Sequence, residues 1–384
     1  MEQYDTVVIG AGLGGLQCSR QLSSKGVRVL LVDRKSTLAR AVHTTGIFVR
    51  RTLEDFDLPD KHLGPPVRHV TLYSPARRTM ELKSSDDEFR VGRMGPLYHY
   101  YLDQCINAGV TWLPGTRYAG IEADGAAGDF SIVRLEKEST TLEVRTRFIV
   151  GADGAMSRVA HDLQLDANTE MIVGLEEVLE NVPLEGPPRF HCFLDPVLSP
   201  GYVAWIVHDG EEVHLGVGGY ASHFDPIPAL EVFRASVENI VDLSQARRVE
   251  RRGGRIPVGG VLRHLSNRQG LLVGDAAGAV SPLTAGGLDP CMRMSALAAR
   301  VIENYLSTGN PDALKSYSGK MFRSHFFTRI MMRRMVSAIH NPSLIELGCA
   351  SMRLPIFKRV AEQVFFGRGS FPDIEPAAVQ PLTT

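Results

Sequence analysis

The stretch that most constrains this chain is its beginning. Tyr4 to Arg34 reads YDTVVIGAGLGGLQCSRQLSSKGVRVLLVDR. Thr6–Ile9 is an apolar run suited to a buried parallel strand. Gly10, Gly12 and Gly15 then occupy the G-x-G-x-x-G spacing, with Gly14 beside them, and Leu16 to Lys25 reads as a helix that Gly26 ends. Val27–Val32 is a second buried strand, with Asp33 and Arg34 at its carboxyl end. Each part has a physical task. Gly10 permits a tight turn, Gly12 lets a pyrophosphate approach the backbone, and Gly15 lets the helix lie against the strand. The helix N-terminus offers free N–H groups and a positive dipole end to phosphates. Asp33 falls about 20 residues after the glycines, where a carboxylate accepts hydrogen bonds from a ribose. Together these define a dinucleotide site.

Composition sets few limits. The chain has 384 residues, 44% hydrophobic and 22% charged, with a net charge of −1. That is enough for a large core, and it gives no electrostatic case for nucleic acid. Cys18, Cys105, Cys192, Cys291 and Cys349 are scattered, which argues against a disulfide scaffold or zinc site and fits a reducing compartment. His208, His325 and His340 lack ligand spacing, so no metal is expected. With no signal-like start and no run of 18 apolar residues, a cytoplasmic protein is expected.

Apolar runs alternate along the chain between two patterns. Residues 67–92 hold short alternating runs (Val70–Tyr73, Thr79–Leu82, Phe89–Val91) that predict antiparallel strands, and 171–265 is again strand-rich. The spacing predicts helices over Leu97–Ala108, Ala229–Ile240 and Ala296–Leu306, and a mostly helical 311–370 broken at Pro342 and Pro355. The expected organisation is an α/β fold. A Rossmann-like nucleotide-binding domain (1–66, 93–170, 266–310) is interwoven with an antiparallel sheet domain (67–92, 171–265). A helical region (311–370) and a loose tail (371–384) follow.

Two later stretches sharpen this. Residues 149–158 read IVGADGAMSR, and 270–288 read GLLVGDAAGAVSPLTAGGL. With the opening motif, their order and spacing resemble the FAD-dependent oxidoreductase superfamily of the para-hydroxybenzoate hydroxylase fold, over roughly residues 4–310. The resemblance implies bound FAD. It implies that Gly274 and Asp275 meet the ribityl or ribose hydroxyls, and that Gly286, Gly287 and Leu288 at a helix start face the flavin pyrimidine edge. It puts Arg93 near the pyrophosphate or ribityl chain, the backbone of Arg117 at the adenine, and Thr45 and Gly46 in a loop around the flavin ring. Asp153 either supports FAD or caps the turn to Ala155.

Within the superfamily the chain most resembles the geranylgeranyl reductase branch. Residues 201–219, GYVAWIVHDGEEVHLGVGG, are similar to that branch's substrate motif. Trp205 and Gly216-Val217-Gly218 match it, whereas Val203, Val207 and His208 replace the usual aromatic, Phe and Pro. Thr44 stands where many members carry cysteine, and the halogenase-type lysine motif is missing from the early loop. Trp205 is either a pocket wall or a core residue.

Two functions stay open at this point. One is reduction of C=C bonds in an isoprenoid or other lipid; the other is single-component monooxygenation of a small aromatic or lipid. Neither demands a catalytic base visible in sequence. No second G-x-G-x-x-G is present, so NAD(P)H or a reduced electron-carrier protein is the expected donor, meeting the enzyme transiently. Residues 320–335 interleave basic and large apolar side chains. Such a helix either touches a membrane peripherally or packs on the domain with its arginines in water. The sequence sets no oligomeric state.

Overall fold

In the computed structural model, described for residues 1–124 and 130–366, apolar runs become buried strands wherever both faces are covered. β1 (Glu2–Ile9) runs into α1 (Leu13–Ser23) and β2 (Val29–Val32), whose four residues are all buried. β3 (Ile47–Val49) and α2 (Arg50–Asp55) precede β4 (His69–Tyr73), β5 (Thr79–Lys83) and β6 (Phe89–Val91). α3 (Met94–Asn107) leads to β7 (Thr111–Leu113) and a meander of β8 (Thr116–Ala123), β9 (Ser131–Lys137) and β10 (Thr140–Gly151), then α4 (Arg158–Asp162). β11 (Met171–Glu180), β12 (Arg189–Phe193), β13 (Ala204–His208) and β14 (Val213–Gly219) follow, with α5 (Pro226–Ser236) before β15 (Arg247–Pro257). β16 (Gly270–Leu272) and α6 (Leu288–Thr308) complete the nucleotide-binding part. α7 (Gly319–His325), α8 (Phe327–Ser337), α9 (Pro342–Ser351) and α10 (Pro355–Phe366) end the described chain.

Two seven-stranded sheets result. The first has the order β7-β2-β1-β10-β9-β8, with β16 also pairing β10. β1 pairs in parallel with β2 and β10, β2 with β7, and β10 with β16, so five carboxyl ends point one way. α1 and α6 pack together beside this sheet. Ligands of such sheets sit beyond the carboxyl ends, and the predicted cofactor segments gather there. The second sheet has the order β15-β11-β14-β13-β12-β4-β5. α5 covers one of its faces, and α10 packs near β4 and β5 on the other.

Two readings need correction. β6 does not join β4 and β5; it pairs antiparallel with β3 in a two-stranded ribbon, and the buried Phe48 ring lies against Gly92, just past its end. The helical region is broken at Pro342 and Pro355, as expected: one helix ends before each proline, and the proline opens the first turn of the next, where a missing N–H costs nothing. Residues 320–335 are not one helix: they span α7 and α8, which meet at Phe326, with Phe322, Phe326, Ile330 and Arg333 buried beneath. The expected tail, 371–384, lies outside the described residues. β15 was unforeseen. Its arginines replace the apolar alternation of a strand, and cross-strand charge pairing with β11 takes its place, with Glu176 opposite Arg252 and Glu177 opposite Arg251.

Candidate active site

One cavity of about 1240 Å³ is lined by the whole predicted set of site residues except Gly15 and Arg93. At its nucleotide end, Gly10 has φ +104°, and a Cβ there would overlap Ala152. A Cβ on Gly15 would overlap the Gly10 carbonyl, so Gly15 acts from beneath the turn by letting α1 close on β1. A Cβ on Gly12 would meet nothing within 4 Å, which leaves its backbone bare to the cavity. Asp33 accepts hydrogen bonds from Ala11 N–H at 2.7 Å and Lys35 N–H at 2.8 Å, and so ties both sides of the turn.

Asp153 is committed to capping. It accepts from Ser157 Oγ at 2.6 Å, Arg158 N at 2.8 Å and Val159 N at 3.1 Å at the start of α4. Its carboxylate still borders the cavity, and burial raises its pKa. Arg93 lies elsewhere: its guanidinium bonds Glu211 and the Lys61 carbonyl, and these partners hold it outside the cavity.

Asp275 differs from the other acids. Its carboxylate has no hydrogen-bond partner among the described residues, and burial pushes its pKa up to about 6. The backbone around it is fixed instead: Gly278 adopts φ +67°, and Asn168 Nδ2 donates to the Asp275 carbonyl at 2.8 Å. Gly286 and Gly287 then open α6, aiming its N-terminus at the same space. α6 is held by a buried pair, Arg293 with Asp289 at 2.9 Å and Asp55 at 2.7 Å, and Thr52 donates to Asp289 at 2.9 Å.

The second sheet forms the next wall. Trp205 is 8% exposed and lines the cavity. The motif glycines explain its posture, since a Cβ on Gly216 would overlap the indole and one on Gly218 would press Tyr202. Trp205 Nε1 donates to Glu176 at 3.1 Å, and Thr45 donates to the same carboxylate oxygen. The other oxygen meets His214 Nδ1 at 3.1 Å and Arg252 at 3.8 Å; His214 Nε2 faces Asp209 at 3.6 Å. Burial disfavours the charged forms, but the pairing wins: the Glu176 pKa is held below its ordinary value, and His214 is pushed up to about 9. One carboxylate thus joins the flavin-side loop to four strands. Nothing in the sequence flags it, because Glu176-Glu177 reads as a solvated pair.

Beyond Trp205 the cavity turns apolar. Leu72, Phe190 and Cys192 of the second sheet face Met332, Ile345 and Phe365 of the C-terminal helices. The fold and the motif geometry define a FAD-dependent oxidoreductase. The bare Gly12 backbone, the unpartnered Asp275 carboxylate and the α6 N-terminus fit the pyrophosphate, hydroxyls and pyrimidine edge of FAD.

The chain belongs to the FAD binding domain family, whose model matches residues 3–333. It is 27% identical to a digeranylgeranylglycerophospholipid reductase of Methanocaldococcus jannaschii over 361 residues, covering 90% of each chain. To a geranylgeranyl diphosphate reductase of Rhodobacter capsulatus it is 23% identical, covering 87% of this chain and 83% of the relative. Among solved structures, a geranylgeranyl bacteriochlorophyll reductase-like protein of Thermoplasma acidophilum shares the fold, with TM-score 0.81, 18% identity and 99% and 95% coverage of the two chains. The p-nitrophenol 4-monooxygenase of Pseudomonas putida also shares it, with TM-score 0.71, 14% identity and 99% and 96% coverage.

Proposed function

We propose that this enzyme reduces C=C bonds of an isoprenoid lipid, with FAD bound at the β1–α1 turn. The observation that carries this is the apolar extension of the cavity past Trp205 to α8–α10. At about 1240 Å³ the space exceeds the roughly 300–1,000 Å³ of an ordinary small-molecule site, which leaves room for a cofactor and a long chain together. The named activities of the curated relatives support the same reading.

Bound FAD, once reduced, supplies the two electrons of the reduction. The protein's own residues bind, orient and keep water out. The β1–α1 turn and α6 N-terminus hold the phosphate and pyrimidine ends, Asp275 accepts from a hydroxyl, and Arg117 borders the adenine end. Trp205, braced by Glu176, sets the wall against which an alkene lies. The donor of the electrons is NAD(P)H or a reduced carrier protein, binding transiently.

Membrane contact is part of this reading, through α9 and α10 together with 320–335, where Met321, Phe327, Met331 and Met335 are exposed. On and between α9 and α10, Leu344, Leu347, Leu354, Ile356, Phe357 and Val360 are exposed, and Leu344, Phe357 and Val360 also line the cavity. Arg353 and Arg359 flank them, as suits an anionic lipid surface.

The test is mass spectrometry of a geranylgeranyl lipid after anaerobic incubation with FAD-loaded, chemically reduced enzyme. A gain of two hydrogens per reduced bond is expected. An unchanged lipid with the flavin still reduced overturns the reading in favour of oxygen chemistry.

A further inference from the structure

A fully buried guanidinium in the cavity wall has no counterion among the described residues. Arg333 of α8 is 1% exposed and lines the cavity. Its guanidinium lies over the rings of Tyr202 and Tyr220, 5.4 and 5.0 Å from their centroids. Nε donates to the Tyr220 hydroxyl at 3.2 Å, which donates onward to Glu170 at 3.0 Å. No carboxylate comes within 4.0 Å of Arg333 among the described residues, and Nη2 is buried without a partner. Arg293, equally buried, has two carboxylates. One turn earlier Arg329 is likewise without a carboxylate, and it donates to Ser281 Oγ at 2.9 Å.

Burying a guanidinium without a counterion is strongly unfavourable, and two tyrosine faces return only part of that cost. The location suggests what offsets the rest. Tyr202 donates to the Thr284 carbonyl at 2.8 Å, so Arg333 stands beside the loop that opens α6. Its neighbours Met332 and Val336 belong to the apolar stretch of the cavity. The charge therefore sits where the cofactor end meets the lipid end.

We propose that Arg333 anchors an anionic head group, a phosphate or phosphate ester, on the amphiphile whose chain fills the apolar stretch. This rests on the lipid reading above. A guanidinium offers a planar fork that grips a phosphate through two parallel hydrogen bonds, and Nη2 is the free arm of that fork. The bound anion supplies the counter-charge the fold omits.

The test uses the FAD-loaded full chain with dodecyl phosphate and dodecanol as probes, read by calorimetry and thermal shift. Wild type should prefer the phosphate. Arg333→Met should weaken dodecyl phosphate about 10- to 100-fold and leave dodecanol unchanged. Met buries no charge, so this variant should melt no lower than wild type. Arg333→Lys keeps the charge without the fork and should fall between.

Equal binding of the two probes by wild type overturns the proposal, and needs no variant. So does an Arg333→Met protein that keeps the phosphate preference, or one whose flavin potential shifts while dodecyl phosphate binding does not. Inorganic phosphate displacing dodecyl phosphate at equal concentration also overturns it, since the site would then take the free anion. A phosphate preference that persists in an enzyme unable to reduce isoprenoid lipids supports the anchor and removes only the reductase reading.

Discussion

His214 links pH to stability through a single side chain. Glu176 from β11 and Asp209 from the turn before β14 face it, with Glu212 and Arg252 close to the same cluster. Their attraction outweighs burial and moves its pKa from 6.5 to about 9. A group raised in the folded state contributes fully below its unfolded pKa and loses that contribution as pH climbs through the folded one. The unfolding free energy from urea titration should therefore fall by on the order of 3 kcal/mol between about pH 6.5 and 9 in wild type, and His214→Gln should flatten the profile. Asp275 works in the opposite direction. It titrates at about 6 without a partner, and a FAD hydroxyl donating to it favours the ionised form. FAD affinity should weaken below pH 6 and become pH-independent in Asp275→Asn, as measured by flavin fluorescence titration. Asp33 and Asp275 were legible in sequence because each ends a buried strand beside glycines. Glu176 was not, since its partners come from a loop and three other strands. Arg93 was misplaced because Glu211, distant in sequence, holds its guanidinium.

At the scale of elements, close contacts set the tolerances. β14 lies flat under Trp205 only because residue 216 is glycine. Gly216→Ala should displace the indole and change tryptophan emission, with turnover lost and flavin content unchanged. α6 depends on its buried pair. Asp289→Ala leaves Arg293 with Asp55 as its remaining carboxylate, beside the Arg51 carbonyl, and should cost about 3 kcal/mol in urea unfolding. Adding Arg293→Met should recover much of that loss. Parallel strands such as β1 and β2 could be read directly, because burial on both faces leaves continuous apolar runs. β15 could not, because its pairing is carried by arginines whose glutamates lie about 70 residues earlier. The α7–α8 junction was hidden too. An apolar-basic pattern records that a helix has two faces, and not that Phe326 turns inward and splits it.

For the whole molecule, the interleaving of two sheets follows from alternating sequence patterns, whereas the docking of α9 and α10 over the second sheet does not. Their apolar residues face both ways, toward the cavity and toward solvent, and periodicity alone does not choose. The solvent-facing set predicts association with vesicles rich in phosphatidylglycerol over those of phosphatidylcholine. Leu347→Glu with Ile356→Glu should abolish co-sedimentation while flavin content is unchanged. The cavity's two long walls also differ in kind. One is a sheet held by backbone ladders and by the Glu176 cluster that reaches the flavin loop. The other is the last pair of described helices, joined to the sheet chiefly by apolar side chains around Ala361 and Phe365. On the proposed reading, substitutions in the sheet wall should disturb cofactor and substrate together, whereas those in α9 and α10 should alter the length and shape of the apolar stretch. On the lipid reading proposed above, changes confined to this short carboxyl-terminal segment should therefore alter which hydrocarbon fits while flavin content and potential stay as they are.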